Sequence, residues 1–277
     1  MNTLTFNIDK TYTGKTIRQF LQDFNVGKQV IYKYSSNHLL EVNFKPVNSE
    51  YRFKPLDVLT IHLENYEMSD VFDVQLDIIY EDDDIVIVDK PFNLIVHDDG
   101  VSFDHLTKRV NMHFQKHGYH HLVLPAHRID KETSGIVVFA KHFIALAYLS
   151  NLFENRSVIK NYICVVENKV KDKKSTIQSK LIKDSTLQKM VVSNNGKLAI
   201  THYELIQYEA TRSRLKVNIE TGRTHQIRAH LASINHPVVG DTLYGVSSSR
   251  LLLHFSEIAF PMLRTKKIEH FVSNPSF

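Results

Sequence analysis

The 277-residue chain predicts an α+β fold: a central, mostly antiparallel sheet with helices packed against it, preceded by a smaller unit. Three observations carry this. Leu215-Lys216-Val217-Asn218-Ile219 alternates apolar and polar residues with period two, the mark of a half-buried antiparallel strand. Short apolar runs at 85–88, 136–140 and 162–166 have the length of buried strands and end at turn residues. Two stretches at helical spacing, 142–154 and 225–234, stand between strands instead of gathering at one end.

In chain order, a first unit covers residues 1–66. Ile17, Phe20, Leu21 and Phe24 recur at helical spacing behind Thr16, a capping residue, and Leu59, Ile61 and Leu63 alternate after the turn Pro55-Leu56-Asp57. The acidic stretch 67–77 reads as a linker, and residues 78–277 as the main domain. Glu81-Asp82-Asp83-Asp84 is a solvated turn before the strand 85–88; it lacks the Gly-spaced ligand loop that a cation would want. After a strand at 136–140, the helix at 142–154 turns Leu146, Leu149 and Phe153 to one face. The strand 162–166 follows, alternation runs from 177 to 220, the helix 225–234 points Ile227, Leu231 and Ile234 inward, and a last strand covers 251–260.

Charge narrows the partner. The net charge is +4, but it is unevenly spread: residues 156–189 hold nine Lys/Arg against three acids, while residues 70–99 hold ten acids and only Lys90. A one-sided basic region is the footprint of phosphate contacts, and equally of a solvated lysine loop around 169–174. A single cysteine, Cys164, excludes an intrachain disulfide, and its apolar surroundings (Tyr162-Ile163-Cys164-Val165-Val166) suit a buried structural thiol. The chain starts without the layout of a secretory signal and has no apolar stretch of membrane-spanning length, so a cytoplasmic protein with no membrane partner is expected. Among the 16 histidines, His225 and His230 are five apart and miss the i, i+4 spacing of a zinc pair, and no glycine-rich phosphate loop is present. Neither a metal nor a cofactor is expected.

The chemistry concentrates in His127-Arg128-Ile129-Asp130-Lys131-Glu132-Thr133-Ser134-Gly135, where a carboxylate sits between cations ahead of a Ser-Gly turn and an apolar strand. An isolated Arg-x-Asp is usually a surface ion pair. Here it is followed by Lys160-Asn161-Tyr162 at a strand start, by Gly222-Arg223-Thr224-His225-Gln226-Ile227-Arg228, by the segment 229–245, and by Leu251-Leu252-Leu253-His254. In this order the segments resemble the RluA-like pseudouridine synthases over roughly residues 75–265. Asp89-Lys90-Pro91 and Leu94-Ile95-Val96-His97 match the family's opening strand and turn, with His97-Asp98 in place of its His-Pro.

The resemblance implies an isomerase of uridine in structured RNA, large-subunit ribosomal RNA ahead of transfer RNA, built on the pseudouridine synthase fold and working as a monomer. It implies Asp130 as catalytic carboxylate, Tyr162 stacking on the base and removing its C5 proton, and Arg223 pairing with Asp130. Arg128 would fill the stack that the target base leaves and Leu253 would wall the pocket; on charge alone, Lys160 and the Lys169–Lys174 loop are the candidates for phosphate contacts. The first unit resembles the family's small RNA-binding module in degenerate form: Leu56-Asp57 replaces its usual Gly-Asp, Val26-Gly27-Lys28-Gln29-Val30-Ile31-Tyr32 replaces its short basic helix, and its charge is nearly balanced. Two rivals remain at this stage. One is a non-catalytic RNA-binding factor on the same fold; the other is a glycoside hydrolase, which would normally need a second working carboxylate.

Overall fold

The computed structural model describes residues 3–68 and 74–277, so the expected linker lies partly outside the described residues. The first unit is a four-stranded sheet in the order β1-β4-β2-β3: β1 Thr3–Asn7, β2 Leu40–Val42, β3 Lys45–Pro46 and β4 Val58–His62. It is covered by α1, Ile17–Asp23, and α2, Lys28–Ser36. Thr16 caps α1 as expected: its hydroxyl accepts from Gln19 N while the Gln19 side chain accepts from Thr16 N, which satisfies two backbone donors reciprocally. Leu56 is exposed with φ at +69°, a backbone conformation that favours glycine. Its neighbour Asp57 holds that turn by accepting from Lys54 N, Tyr51 Oη and Asn43 Nδ2.

The second sheet has eleven strands. In chain order they are β5 Ile78–Glu81, β6 Ile85–Lys90, β7 Leu124–Pro125, β8 Ser134–Ala140, β9 Ile159–Val166, β10 Lys174–Asp184, β11 Lys189–Val192, β12 Lys197–Glu209, β13 Arg212–Ile219, β14 Leu253–Pro261 and β15 Ile268–Val272. Its spatial order is β11-β10-β12-β13-β9-β14-β8-β6-β5, with β15 on β14 and β7 on β8. The pairings are antiparallel except β14 with β8, which run parallel through Ser134↔His254 and Phe255↔Gly135. The sheet is thus the predicted mostly antiparallel one. Both faces of β6 and β8 are covered, which explains why those strands read as unbroken apolar runs. The outlying β10 and β12 alternate because one of their faces meets solvent.

Three helices pack on this sheet: α3 Leu106–Lys116, α4 Phe143–Glu154 and α5 Gln226–Ser233. The helix α3 has no counterpart in the sequence reading. It buries Leu106, Val110 and Phe114, and Asn111 fastens it by bonding both ways with the Val123 backbone.

The two sheets share one continuous apolar core. Phe24 meets Tyr148 and Tyr34 meets Phe143 across the junction. Arg264 bonds the buried Asp84 carboxylate, the Thr5 carbonyl and, at 4.8 Å, the face of Phe6.

One glycine sets a dimension of the fold. Gly135 has φ +113°, and a Cβ there would stand 2.6 Å from Phe255 N and closer still to its carbonyl oxygen.

Candidate active site

Asp130 sits in the loop between β7 and β8, and that loop is tied down from below. Lys90, at 0% exposure, donates its ammonium to the carbonyls of Pro91 (2.9 Å), Leu94 (2.7 Å) and Lys131 (3.1 Å). Three donors meet three acceptors, one of them in the Asp130 loop itself. Burial pulls the Lys90 pKa down to about 7 against the pull of Asp130, Asp89 and Glu132. Thr133 N closes the turn on Asp130 O, and His127 Nε2 accepts from Val138 N. Ser134 Oγ meets His254 Nδ1 and accepts from Arg250.

Opposite this loop, β13 ends and the chain turns through Gly222 into α5. Gln226 pins the turn: its carbonyl oxygen accepts from Arg223 N and Thr221 Oγ1, and its amide donates to Ile200 O and Thr201 Oγ1. A cavity of about 150 Å³ opens between loop and turn, with Asp130, Tyr162, Ile219, Arg228 and Leu253 among its walls.

Arg223 lines this cavity, but its Nε donates to Leu198 O, and the ion pairs of Asp130 go elsewhere. Arg228 Nη1 stands 3.6 Å from Asp130 Oδ2, and His225 Nε2 stands 3.9 Å from the same oxygen. The expected Asp130–Arg223 pair is therefore corrected to Asp130–Arg228. The reason is position: Arg223 precedes the helix at the turn's outer corner, while Arg228 lies on the helix face turned to the core.

Arg228 is 1% exposed and fully engaged. Its Nε and Nη2 grip both oxygens of the buried Asp241 at 2.7 and 2.9 Å, and Nη1 bonds Glu132 at 3.0 Å. A bidentate partner of this kind fixes the guanidinium before any substrate arrives. The signal was present in sequence, since Arg228 is three residues before Leu231 on the apolar stripe of α5. A cation there needs a buried acid.

Tyr162 is 7% exposed and lies flat on Phe255, its neighbour across β9 and β14, with centroids 4.4 Å apart and planes 10° apart. Burial, helped by the Asp130 charge, pushes its phenol far above the ordinary value. Leu253, 3% exposed, pairs with Cys164 and walls the cavity. Burial also pushes the Cys164 thiol up to about 12, against the pull of Arg214, as suits a structural thiol.

Arg128 is exposed at the cavity edge with Nη1 3.4 Å from His97 Nε2. Lys160, by contrast, is buried, does not line the cavity, and has its pKa lowered by burial and then by Arg156. That differs from the exposed phosphate-binding lysine expected: residue 160 shares the inward face of β9 with Tyr162.

A second, larger groove adjoins the first. It shares Gly222, Arg223, Thr224 and His225 with the cavity and continues along the β10–β11 hairpin past Lys183, Lys189 and Lys197. No acid lines it. The lysines at 169–174 sit towards the other end of β10, where Lys174 pairs with Glu204. Among the described residues, no three of His, Cys, Asp and Glu are grouped to hold a metal, and no helix is long and apolar enough to cross a membrane.

Comparison with known proteins gives a consistent result. Residues 84–233 match the RNA pseudouridylate synthase family. An RNA pseudouridine synthase of Bacillus subtilis (YhcT) is 36% identical across 83% of this chain and 80% of its own. Ribosomal large subunit pseudouridine synthase D of Escherichia coli is 36% identical over 62% of this chain and 53% of its own. The solved structure of human RNA pseudouridylate synthase domain containing 1 shares the fold, with a TM-score of 0.63 at 24% identity over 73% of this chain and 84% of that one. The loop-and-turn cavity between β8 and α5 thus falls in a fold and a sequence match that agree, and the chain belongs to the RNA pseudouridine synthases, enzymes that isomerise uridine within RNA.

Proposed function

We propose that this enzyme acts on uridine in large-subunit ribosomal RNA, and that Asp130 is its catalytic carboxylate. The observation that carries the site is the pairing of Asp130 with a guanidinium already locked by Asp241 and Glu132. The similarity to the E. coli large-subunit synthase supports the RNA class.

The reaction breaks N1–C1′, turns the uracil, and joins C5 to C1′; the C5 proton leaves and N1 gains one, so nothing is oxidised. Asp130 meets the positive charge that develops at C1′, by attack or by electrostatic stabilisation. Arg228, 3.6 Å away, holds the carboxylate in place. Leu253 and Ile219 give the detached base apolar walls, and Tyr162 gives it an aromatic surface.

The general-base role read from the sequence for Tyr162 runs against its surroundings. A phenol held neutral by burial and by a nearby carboxylate offers a ring and a donor, not a proton acceptor. We therefore assign Tyr162 to holding the base.

Reaching C1′ requires the nucleotide to leave its stack, at a cost of roughly a few kcal/mol. The exposed Arg128 at the cavity edge suits the role of filling the gap. The basic β10–β11 groove, not the 169–174 loop and not Lys160, suits the flanking phosphates. We further propose residues 1–66 as an RNA-binding-module-like unit, 67–77 as its linker and 78–277 as the catalytic domain. We propose, further, that the enzyme works as a monomer on ribosomal RNA in the cytoplasm.

The test is tritium release from uridine-C5-labelled RNA, with large-subunit and transfer RNA transcripts in parallel. We expect release from ribosomal RNA and none with Asp130→Asn. Release by that variant would falsify the assignment of Asp130, and release from transfer RNA alone would overturn the RNA class.

A further inference from the structure

The carboxylate of Asp130 faces a second group that the reaction above leaves idle. His225 Nε2 lies 3.9 Å from Asp130 Oδ2, and its other ring nitrogen, Nδ1, lies 3.3 Å from the Tyr244 hydroxyl. That hydroxyl accepts from Met190 N at 2.8 Å.

The proton count then follows. A phenol has one proton to donate, and the backbone N–H of Met190 can only donate. A carboxylate facing Nε2 can only accept, so Nε2 carries the ring proton and Nδ1 takes the phenolic proton of Tyr244, whose oxygen receives Met190 N–H on a lone pair. Neutral His225 is thereby the Nε2–H tautomer, with its proton on the side of Asp130. Burial, reinforced by Arg228, favours this neutral ring against the pull of Asp130, Glu132 and Asp241.

The backbone is arranged to the same end. His225 has φ +49° and ψ +23°, a left-handed conformation that a residue with a Cβ rarely adopts, and its side chain makes no capping bond to α5. What that conformation achieves is to place the ring at Asp130. Arg228 and His225 both approach Oδ2 most closely, which leaves Oδ1 as the oxygen to meet the sugar. At 3.6 and 3.9 Å neither contact is a full hydrogen bond, as is common before substrate closes a site.

We propose that His225 is a positioning residue, holding Asp130 by Oδ2 in the reactive orientation, and that Tyr244 holds the ring in that tautomer; this rests on reading Asp130 as the catalytic carboxylate. The anchor of the relay is on β11, the strand that carries Lys189 into the basic groove. The arm that would grip RNA phosphates is therefore connected through three residues to the reacting group.

The test uses the full chain with labelled ribosomal RNA and compares single-turnover rate at saturating RNA with RNA Kd. For His225→Ala we expect a rate loss on the order of 100-fold, the scale for a misplaced reacting group, with Kd unchanged. Tyr244→Phe should lose less, and the double variant should be no slower than His225→Ala, because the two act as a unit. A purely structural role would raise Kd and lower thermal stability along with the rate, and its losses would add; either result overturns the proposal. Asp130→Asn runs alongside. If it is inactive while His225→Ala turns over normally, the positioning role is wrong; if Asp130→Asn itself turns over, the reading beneath it is wrong.

Discussion

Two cationic regions of this enzyme, only a few residues apart in space, use the same side chains in opposite ways. Beneath Asp130 each cation is matched: Arg228 to Asp241, Glu132 and Asp130, and Lys90 to three carbonyls. Along the neighbouring groove Lys183, Lys189, Lys197 and Arg223 carry no ion pair among the described residues, although elsewhere on the same sheet Lys174, Arg212, Arg214 and Lys216 are each paired with a glutamate. The difference separates two tasks. Buried, satisfied charge fixes geometry in advance, while exposed, unmatched charge attracts a polyanion and is screened by salt.

The sharpest break between the regions should come from Arg228. Arg228→Ala leaves Asp241 buried without its counter-charge, which costs about 3–5 kcal/mol, and it removes the clamp on Asp130. We expect no detectable turnover and a lowered melting temperature. Arg228→Lys should not rescue, because an ammonium cannot make the bidentate grip. Arg223→Ala should keep stability and most of the rate at saturating RNA. If Arg223→Ala were the inactive variant and Arg228→Ala the active one, the assignment of the two arginines would be reversed.

Lys90→Met comes next. It strands the buried Leu94 carbonyl, a penalty of about 1–3 kcal/mol, and frees the carbonyls of Pro91 and Lys131, which water can reach. Urea unfolding should show a loss of that size, and the rate should fall because the Lys131 carbonyl is released. An unchanged rate in a destabilised protein would mean that the loop is held well enough by Ser134 and Glu132.

Third is the groove. Lys183→Ala with Lys197→Ala should weaken RNA binding and reduce the slope of log K against log salt by roughly 1 to 2, with the rate at saturating RNA unaltered. Substituting Lys171 and Lys173 instead should barely change the slope. Equal effects from both pairs would place the phosphate track on neither arm of β10 in particular.

The smallest effect is expected where the first unit docks. Burial pushes the Asp84 carboxyl upwards, but hydrogen bonds from His142 and Arg264 outweigh it and hold its pKa below the ordinary 3.8. A depressed folded value means that the group's stabilisation is present above pH 3.8 and is lost as pH falls through the folded value. Arg264→Ala should therefore move acid unfolding to higher pH while costing about 1–2 kcal/mol at neutral pH, since His142 still satisfies Asp84. An acid transition that does not move would show that His142 alone sustains the carboxylate.

The sheet was legible because its signals are local: alternation in β13, unbroken apolar runs in β6 and β8, and a Thr16 cap that needs only Gln19 three residues on. The family was legible for another reason, since several short motifs in fixed order outweigh any one of them. The mispairing of Arg223 had a physical source. A turn residue and a helix residue five positions apart look equally available in sequence, and only the direction of α5 decides which reaches across. The helix α3 was missed although Leu106, Val110 and Phe114 fall four apart, because it starts behind His105 and not a usual capping residue, and its anchor, Asn111 to Val123, is tertiary. Lys160 was misread because the packing of β9 overrides what a lysine at a strand start usually does.

Gly135 carries a last consequence. Five residues along the chain from Asp130, its missing Cβ lets the Phe255 main chain come against β8, and Phe255 carries the ring on which Tyr162 lies. The gauge between carboxylate and aromatic floor is thus inherited from two backbones in direct contact, not from the side chains that line the opening. Ile129, Ile219 and Leu253 are free to drift in size and retune what the opening accepts, while the distance from the Asp130 loop to that floor has no residue through which to drift.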